Sequence, residues 1–189
     1  MTVPPMPSLV PAGATPEGDG VIVGDGPVHV DAFIDFQCPF CRRFELASGP
    51  SLASMAAGHR ISLAYHPMNF LDQASTTRYS TRAAAASGCA ADQDRFLDYL
   101  HALFVKQPPE GSAGLSDAEL IAVGRSVGLT QGFADCVSQG TYLDWPPYVT
   151  ARASSAGVEA TPTVLVAGVA VPAETEAITF AIDQVSARL

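Results

Sequence analysis

Cys38 and Cys41, separated by Pro39 and Phe40, are the residues of this 189-residue chain best suited to chemistry. Two thiols three residues apart can form a disulfide and exchange it with other thiols, a reaction in which the thiolate attacks. Their place in the chain strengthens that reading. Val28 to Phe36 is apolar and alternating enough for a buried strand. Downstream, Phe44, Leu46, Leu52 and Met55 lie at spacings a helix tolerates. Cys38 therefore sits at a helix start, where unpaired N–H groups and the helix dipole favour a thiolate. Cys41 lies a turn inside and should be less exposed. Pro39 is tolerated early in the helix because its missing N–H had no partner there. Gly49-Pro50 is expected to kink or interrupt the helix over about 39–57.

Other chemistries fit less well. A zinc site needs four ligands, and no second C-x-x-C or closely spaced histidine pair follows. His29, His59, His66 and His101 are scattered, so no metal is expected. A cysteine hydrolase would pair Cys38 with a base such as His66, and a second cysteine three residues on argues against it. The net charge of −9 and the absence of a basic stripe exclude a nucleic-acid partner. Arg42-Arg43 is the only adjacent basic pair and reads as a solvated helix face or a local positive potential. No run reaches the roughly 18 apolar residues of a membrane span. The first twenty residues hold five prolines and no Lys or Arg, unlike a secretory signal. By default that points to the cytoplasm, or to an extracytoplasmic site if a leader was trimmed.

The elements that must position the two sulfurs follow from the pattern. Residues 1–19 read as a flexible, Pro-rich leader and 20–72 as a β-β-α-β unit with a strand from Arg60 to His66 that Pro67 stops. From 73 to 157 the pattern is helical, with an Ala-rich stretch at Arg78–Ala91 and a capping box at Ser116–Glu119. Residues 158–189 read as β-β-α, with a hairpin signal at Ala167-Gly168. The class is α/β.

Two separated motifs, Asp35-Phe36-Gln37-Cys38-Pro39-Phe40-Cys41 and Thr161-Pro162-Thr163, together resemble the thioredoxin superfamily. The helices between the two halves look like its DsbA-like branch, over roughly residues 20 to 188. The resemblance implies a thioredoxin fold with an inserted helical subdomain. It makes Cys38 the nucleophile, Cys41 the resolving thiol and Pro162 a cis-proline facing them, with Pro39, Phe40 and Thr161 in support. It implies a monomeric thiol–disulfide oxidoreductase of DsbA type, needing no organic cofactor, that acts on protein or peptide thiols and is recharged by an unidentified redox partner. The alternatives are a cytosolic thioredoxin-like reductase and a redox-inert adaptor or chaperone.

Two positions depart from the family's pattern. The buried acid that many relatives carry six residues before the first cysteine is Ala32 here, and Asp31 and Asp35 are expected on the opposite side of the strand. Proton handling at Cys41 then falls to water or to another carboxylate. Phe40 stands where strongly oxidising relatives have His and cannot donate a hydrogen bond to the thiolate. A reduction potential between roughly −120 and −270 mV follows. Cys89 and Cys136 are either two buried thiols or, as the resemblance to actinobacterial DsbA-like proteins implies, a structural disulfide. The bridge would close 46 intervening residues and add roughly 4 kcal/mol in the chain-entropy model. Phe40, Phe70 and Tyr142 are candidates for an apolar docking surface, Phe40 foremost. Trp145 reads as packing and His66 as a strand cap.

Overall fold

A computed structural model describes residues 3–189. Its centre is a five-stranded sheet in the order β1-β3-β2-β4-β5, comprising β1 (Val21–Val23), β2 (Val28–Ile34), β3 (Ile61–Pro67), β4 (Thr163–Val166) and β5 (Val169–Val171). β2 runs parallel to β3, with Val28 opposite Ile61 and Ala32 opposite Tyr65, and antiparallel to β4. Alternation decides its burial: Val28, Val30, Ala32 and Ile34 share one face and are fully buried, whereas on the other face His29 is exposed, Asp31 half-buried and Phe33 buried. β4 and β5 join through Ala167-Gly168, both at positive φ (48° and 78°), the geometry of a two-residue hairpin turn.

Helix α1 (Pro39–Ala57) is one uninterrupted helix, so Gly49-Pro50 does not break it as the sequence suggests. An interior proline costs about 3 kcal/mol, whereas fully burying an apolar side chain returns about 1.5–3 kcal/mol. Phe44, Leu52 and Met55 all go into the core from this helix, and together they outweigh the proline. α7 (Thr175–Ser186) packs on α1 and the sheet, and the hydroxyls of Ser48 and Thr175 meet at 2.8 Å.

Between β3 and β4 lie a 3₁₀ turn (Asp72–Ala74) and the helices α2 (Tyr79–Ala91), α3 (Phe96–Val105), α4 (Asp117–Ser126), α5 (Gln131–Gln139) and α6 (Trp145–Ser155). The capping box forms: the Glu119 N–H donates to Ser116 Oγ at 3.3 Å, and the Ser116 N–H donates to the Glu119 carboxylate at 2.8 Å. α2 is the axis of the block, with every residue except Arg82 buried. Its run of alanines lets α3, α4, α5 and α6 approach closely, which is a packing role beyond helix propensity.

The N-terminal segment is only partly the flexible leader its prolines suggest. Residues 3–9 are largely exposed, and the first two lie outside the described residues. From Ala12 to Asp19 the chain is tied down. Ala14 bridges to Val21, the Ala12 N–H donates to Asp92 (2.9 Å), and Arg152 pairs with Asp19 (3.1 Å). The buried donors of α6 need acceptors, and this segment supplies them: Trp145 Nε1–H donates to Gly18 O at 2.8 Å and Tyr148 O–H to Glu17 O at 2.6 Å.

Candidate active site

β2 ends at Ile34, a tight turn follows, and Cys38 is the N-cap of α1 in extended geometry (φ −75°, ψ 120°) with Pro39 at the first helical position. Cys38 retains only 4% of its surface and Cys41 none. Opposite them the Thr161-Pro162 peptide is cis, and the Cys38 thiol lies 3.3 Å from Thr161 O. Cys41 Sγ accepts the Asp35 backbone N–H at 3.4 Å.

The two sulfurs differ electrically. The hydrogen bond from the Cys41 thiol is the largest of the influences that bring the Cys38 pKa down from 9.0 to about 6. Backbone N–H groups at the helix start and the contact with Thr161 add to it, and burial opposes it. Burial first, then the hydrogen bond to Cys38 and the charge on that sulfur, push the Cys41 thiol well above its ordinary range. At neutral pH the reduced pair is one thiolate and one thiol. Such a pair can attack or leave at one sulfur and hold a proton at the other.

A groove of about 510 Å³ runs beside the cis-proline, lined by Phe40, Phe44, Ala47, Thr161, Pro162 and Ala173 among others. Phe40 projects into solvent, 59% exposed, with the Arg43 guanidinium 4.9 Å from its ring. Of the basic pair, Arg42 is committed instead to Phe104 O (3.0 Å). Phe70 is exposed, next to a residue that bonds the active-site turn. Tyr142 is buried and donates to Asp92 at 2.7 Å, so it is not on a docking surface. His66 is buried between Asp19 O (2.7 Å) and Asp31 Oδ1 (3.0 Å) and stacks on Phe33, away from any redox task. Cys89 on α2 and Cys136 on α5 form a disulfide with Cα atoms 5.9 Å apart. Among the described residues no cluster of three or more His, Cys, Asp or Glu is arranged to hold a metal ion.

Several polar residues around the turn escape a reading of the sequence. Gln107 Nε2 donates to both Phe36 O and Cys38 O, each at 2.9 Å, and Gln37 Oε1 accepts the Gly111 N–H at 3.1 Å. Glu45, one turn after Cys41, is buried and accepts from Tyr65 O–H at 2.9 Å. Burial raises its pKa, with Tyr65 and His101 opposing. Tyr65 is the strand partner of Ala32. The sheet face that lacks an acid at Ala32 thus receives one from α1. The only sequence signal was an acid at helical spacing from Cys41.

The family model described as thioredoxin matches residues 18–184, nearly the whole of this arrangement. The chain belongs to the thioredoxin family, on its DsbA-like branch. It superposes on the reduced form of the disulfide bond oxidoreductase DsbG from Mycobacterium tuberculosis with a TM-score of 0.79 and 32% identity, covering 89% of this chain and 88% of that one. With reduced DsbA from the same organism the TM-score is 0.71 at 32% identity, over 80% of this chain and 84% of that one. A curated relative, the serine/threonine-protein kinase PknE of M. tuberculosis, is 35% identical over 134 residues, which is 66% of this chain. The chain spans only 24% of that kinase, so the likeness carries no kinase activity to it.

Proposed function

We propose that this protein exchanges disulfides with protein or peptide thiols through Cys38 and Cys41, working as a DsbA-type oxidase. The observation that carries the reading is the unequal pair of sulfurs facing the cis Thr161-Pro162 peptide. In the oxidising direction a substrate thiolate attacks Cys38 Sγ of the disulfide. The S–S bond breaks and Cys41 leaves with its electron pair. Its raised pKa makes it take up a proton at once, which disfavours return. A second substrate thiolate then attacks the substrate sulfur of the mixed disulfide and expels Cys38 as a thiolate. The lowered pKa of Cys38 makes it a good leaving group. The substrate loses two electrons and gains a disulfide; the pair gains both electrons. The groove beside Pro162, with Phe40 at its rim, suits an extended apolar segment of an unfolded substrate. The pair then needs an external oxidant of the disulfide or quinone class to begin again.

Two assays test this together: refolding of a reduced, unfolded disulfide protein, and reduction of insulin by a dithiol. An oxidase accelerates the first, and a reductase favours the second. Cys38→Ser abolishes both while the protein stays folded. A wild-type chain inert in both assays is an adaptor, and the proposal fails. Titration against a glutathione ladder places the potential inside the roughly −120 to −270 mV window bounded by DsbA and thioredoxin.

A further inference from the structure

Asp35 is fully buried at the end of β2, three residues before Cys38. Its carboxylate receives donors from three segments. Oδ1 accepts the Gln37 N–H (2.8 Å) and the Ser80 hydroxyl of α2 (2.7 Å), and Oδ2 accepts the Leu71 N–H from the loop after β3 (2.9 Å). Its main chain serves the dithiol directly. The Asp35 N–H donates to Cys41 Sγ at 3.4 Å, and the Asp35 carbonyl accepts the Cys38 N–H at 3.0 Å. One residue therefore has its backbone on both cysteines and its side chain on the turn before Cys38, the loop after β3 and α2.

The hydrogen bonds suit an ionised carboxylate, yet no cation pairs with Asp35 among the described residues. The nearby titratable groups are Cys38 at the N-cap of α1, Cys41 within α1, and Tyr79 on α2, whose buried hydroxyl has no hydrogen-bond partner among the described residues. In the loop after β3, Asp72 is already engaged by Arg78 (3.5 Å). In the segment after α3, Glu110 is exposed beside Gly111. The uncompensated charge facing Asp35 is thus the Cys38 thiolate.

We propose that Asp35 is a positioning residue for the dithiol whose buried negative charge restrains ionisation of Cys38. This rests on reading Cys38 and Cys41 as the reacting pair. Both groups titrate at about pH 6 in the reduced protein. Burial raises Asp35, its three hydrogen bonds oppose that, and the Cys38 charge raises it further. Two interacting groups so close in pKa lose their protons in overlapping steps that belong to the pair. Each proton goes to water and no electron moves.

The test is the rate of Cys38 alkylation by iodoacetamide in the reduced protein, measured across about pH 4 to 9, because the thiolate is the reacting form. In wild type the rate rises over a wider interval than a single ionisation allows. Asp35→Asn, with its fold checked by circular dichroism, titrates as one group with a lower midpoint. At about pH 5 it reacts roughly threefold to tenfold faster, as a shift of half to one pKa unit requires. Ser80→Ala keeps the charge but removes one donor to it, so Asp35 holds its proton longer. The Cys38 midpoint moves the same way by less.

A folded Asp35→Asn protein with the wild-type midpoint, or one displaced upward, overturns the proposal. If Asp35→Asn does not fold, Ser80→Ala decides: a lowered midpoint supports the proposal, and an unmoved or raised one overturns it. Insulin reduction by the wild type, run alongside, separates this inference from the proposed function. A chain inert towards insulin and in the refolding assay as well, yet still showing the alkylation shift, keeps Asp35 in its role and loses the oxidoreductase reading.

Discussion

The molecule holds two pairs of cysteines, and their surroundings assign them opposite tasks. Cys38 and Cys41 share one turn at the start of α1, where the hydrogen bond between the two sulfurs, the deeper burial of Cys41 and the backbone N–H groups at the helix start drive the two pKa values apart. Cys89 and Cys136 lie 47 residues apart on α2 and α5 and tie two helices of the inserted block together. A helix N-terminus offers hydrogen bonds to a sulfur anion; a contact between the sides of two helices offers none. The same element pair, sulfur to sulfur, is thus a reagent at one site and a staple at the other. The difference lies in which backbone groups are left unpaired nearby.

That contrast can be broken by removing the staple. The double substitution Cys89→Ala/Cys136→Ala is expected to lower stability by roughly 4 kcal/mol, the chain-entropy value for a loop of this size. Urea unfolding measures it, and exchange activity below the transition should stay near wild type. Activity lost in step with a folded double variant would erase the division of labour between the pairs.

A smaller effect at neutral pH comes from the reagent pair itself. Its folded pKa is depressed, so Cys38 stabilises the reduced protein fully above its unfolded value of 9.0 and not at all below about 6. At about 1.4 kcal/mol per pH unit, the reduced form should gain up to about 4 kcal/mol across that window, and less at pH 7. The oxidised form, which has no Cys38 proton to lose, gains none. Paired urea titrations of the oxidised and reduced proteins at several pH values test the slope. A reduced-minus-oxidised difference that is flat from about pH 6 to 9 would show that Cys38 is not the anionic sulfur.

The smallest change sharpens the comparison at one side chain. Phe40→His places a donor beside the Cys38 thiolate, in a position already exposed to solvent. We expect a lower Cys38 midpoint and a glutathione equilibrium moved several-fold towards the reduced protein, as a gain of one charge-assisted hydrogen bond implies. Redox titration reads it directly, and a shift towards the oxidised form would contradict the account of Phe40.

What the sequence discloses here is what local pattern encodes. The helix start at Pro39, the capping box at Ser116 and the hairpin at Ala167-Gly168 each depend on residues a few positions apart, and each is found where the pattern puts it. The strand expected to reach Phe36 instead ends at Ile34, where the chain turns. Pro50 misleads because its penalty is local while the burial that outweighs it is tertiary. Asp35 misleads for a related reason. The alternation rule places it away from Ala32, but β2 has ended by then and the chain is already turning. Gln107 and Ser80 lie 69 and 45 positions from their partners Cys38 and Asp35, beyond the reach of any periodicity.

Trp145, the single tryptophan, is fully buried with its indole N–H on Gly18 O. The tryptophan fluorescence of this protein therefore has one source, seated beneath the strap formed by residues 12–19. Lifting that strap by truncation, heat or denaturant uncovers the indole before the sheet itself needs to open. Its red shift would then serve as an intrinsic optical gauge of N-terminal detachment, separable from global unfolding followed by the far-ultraviolet signal of the helices.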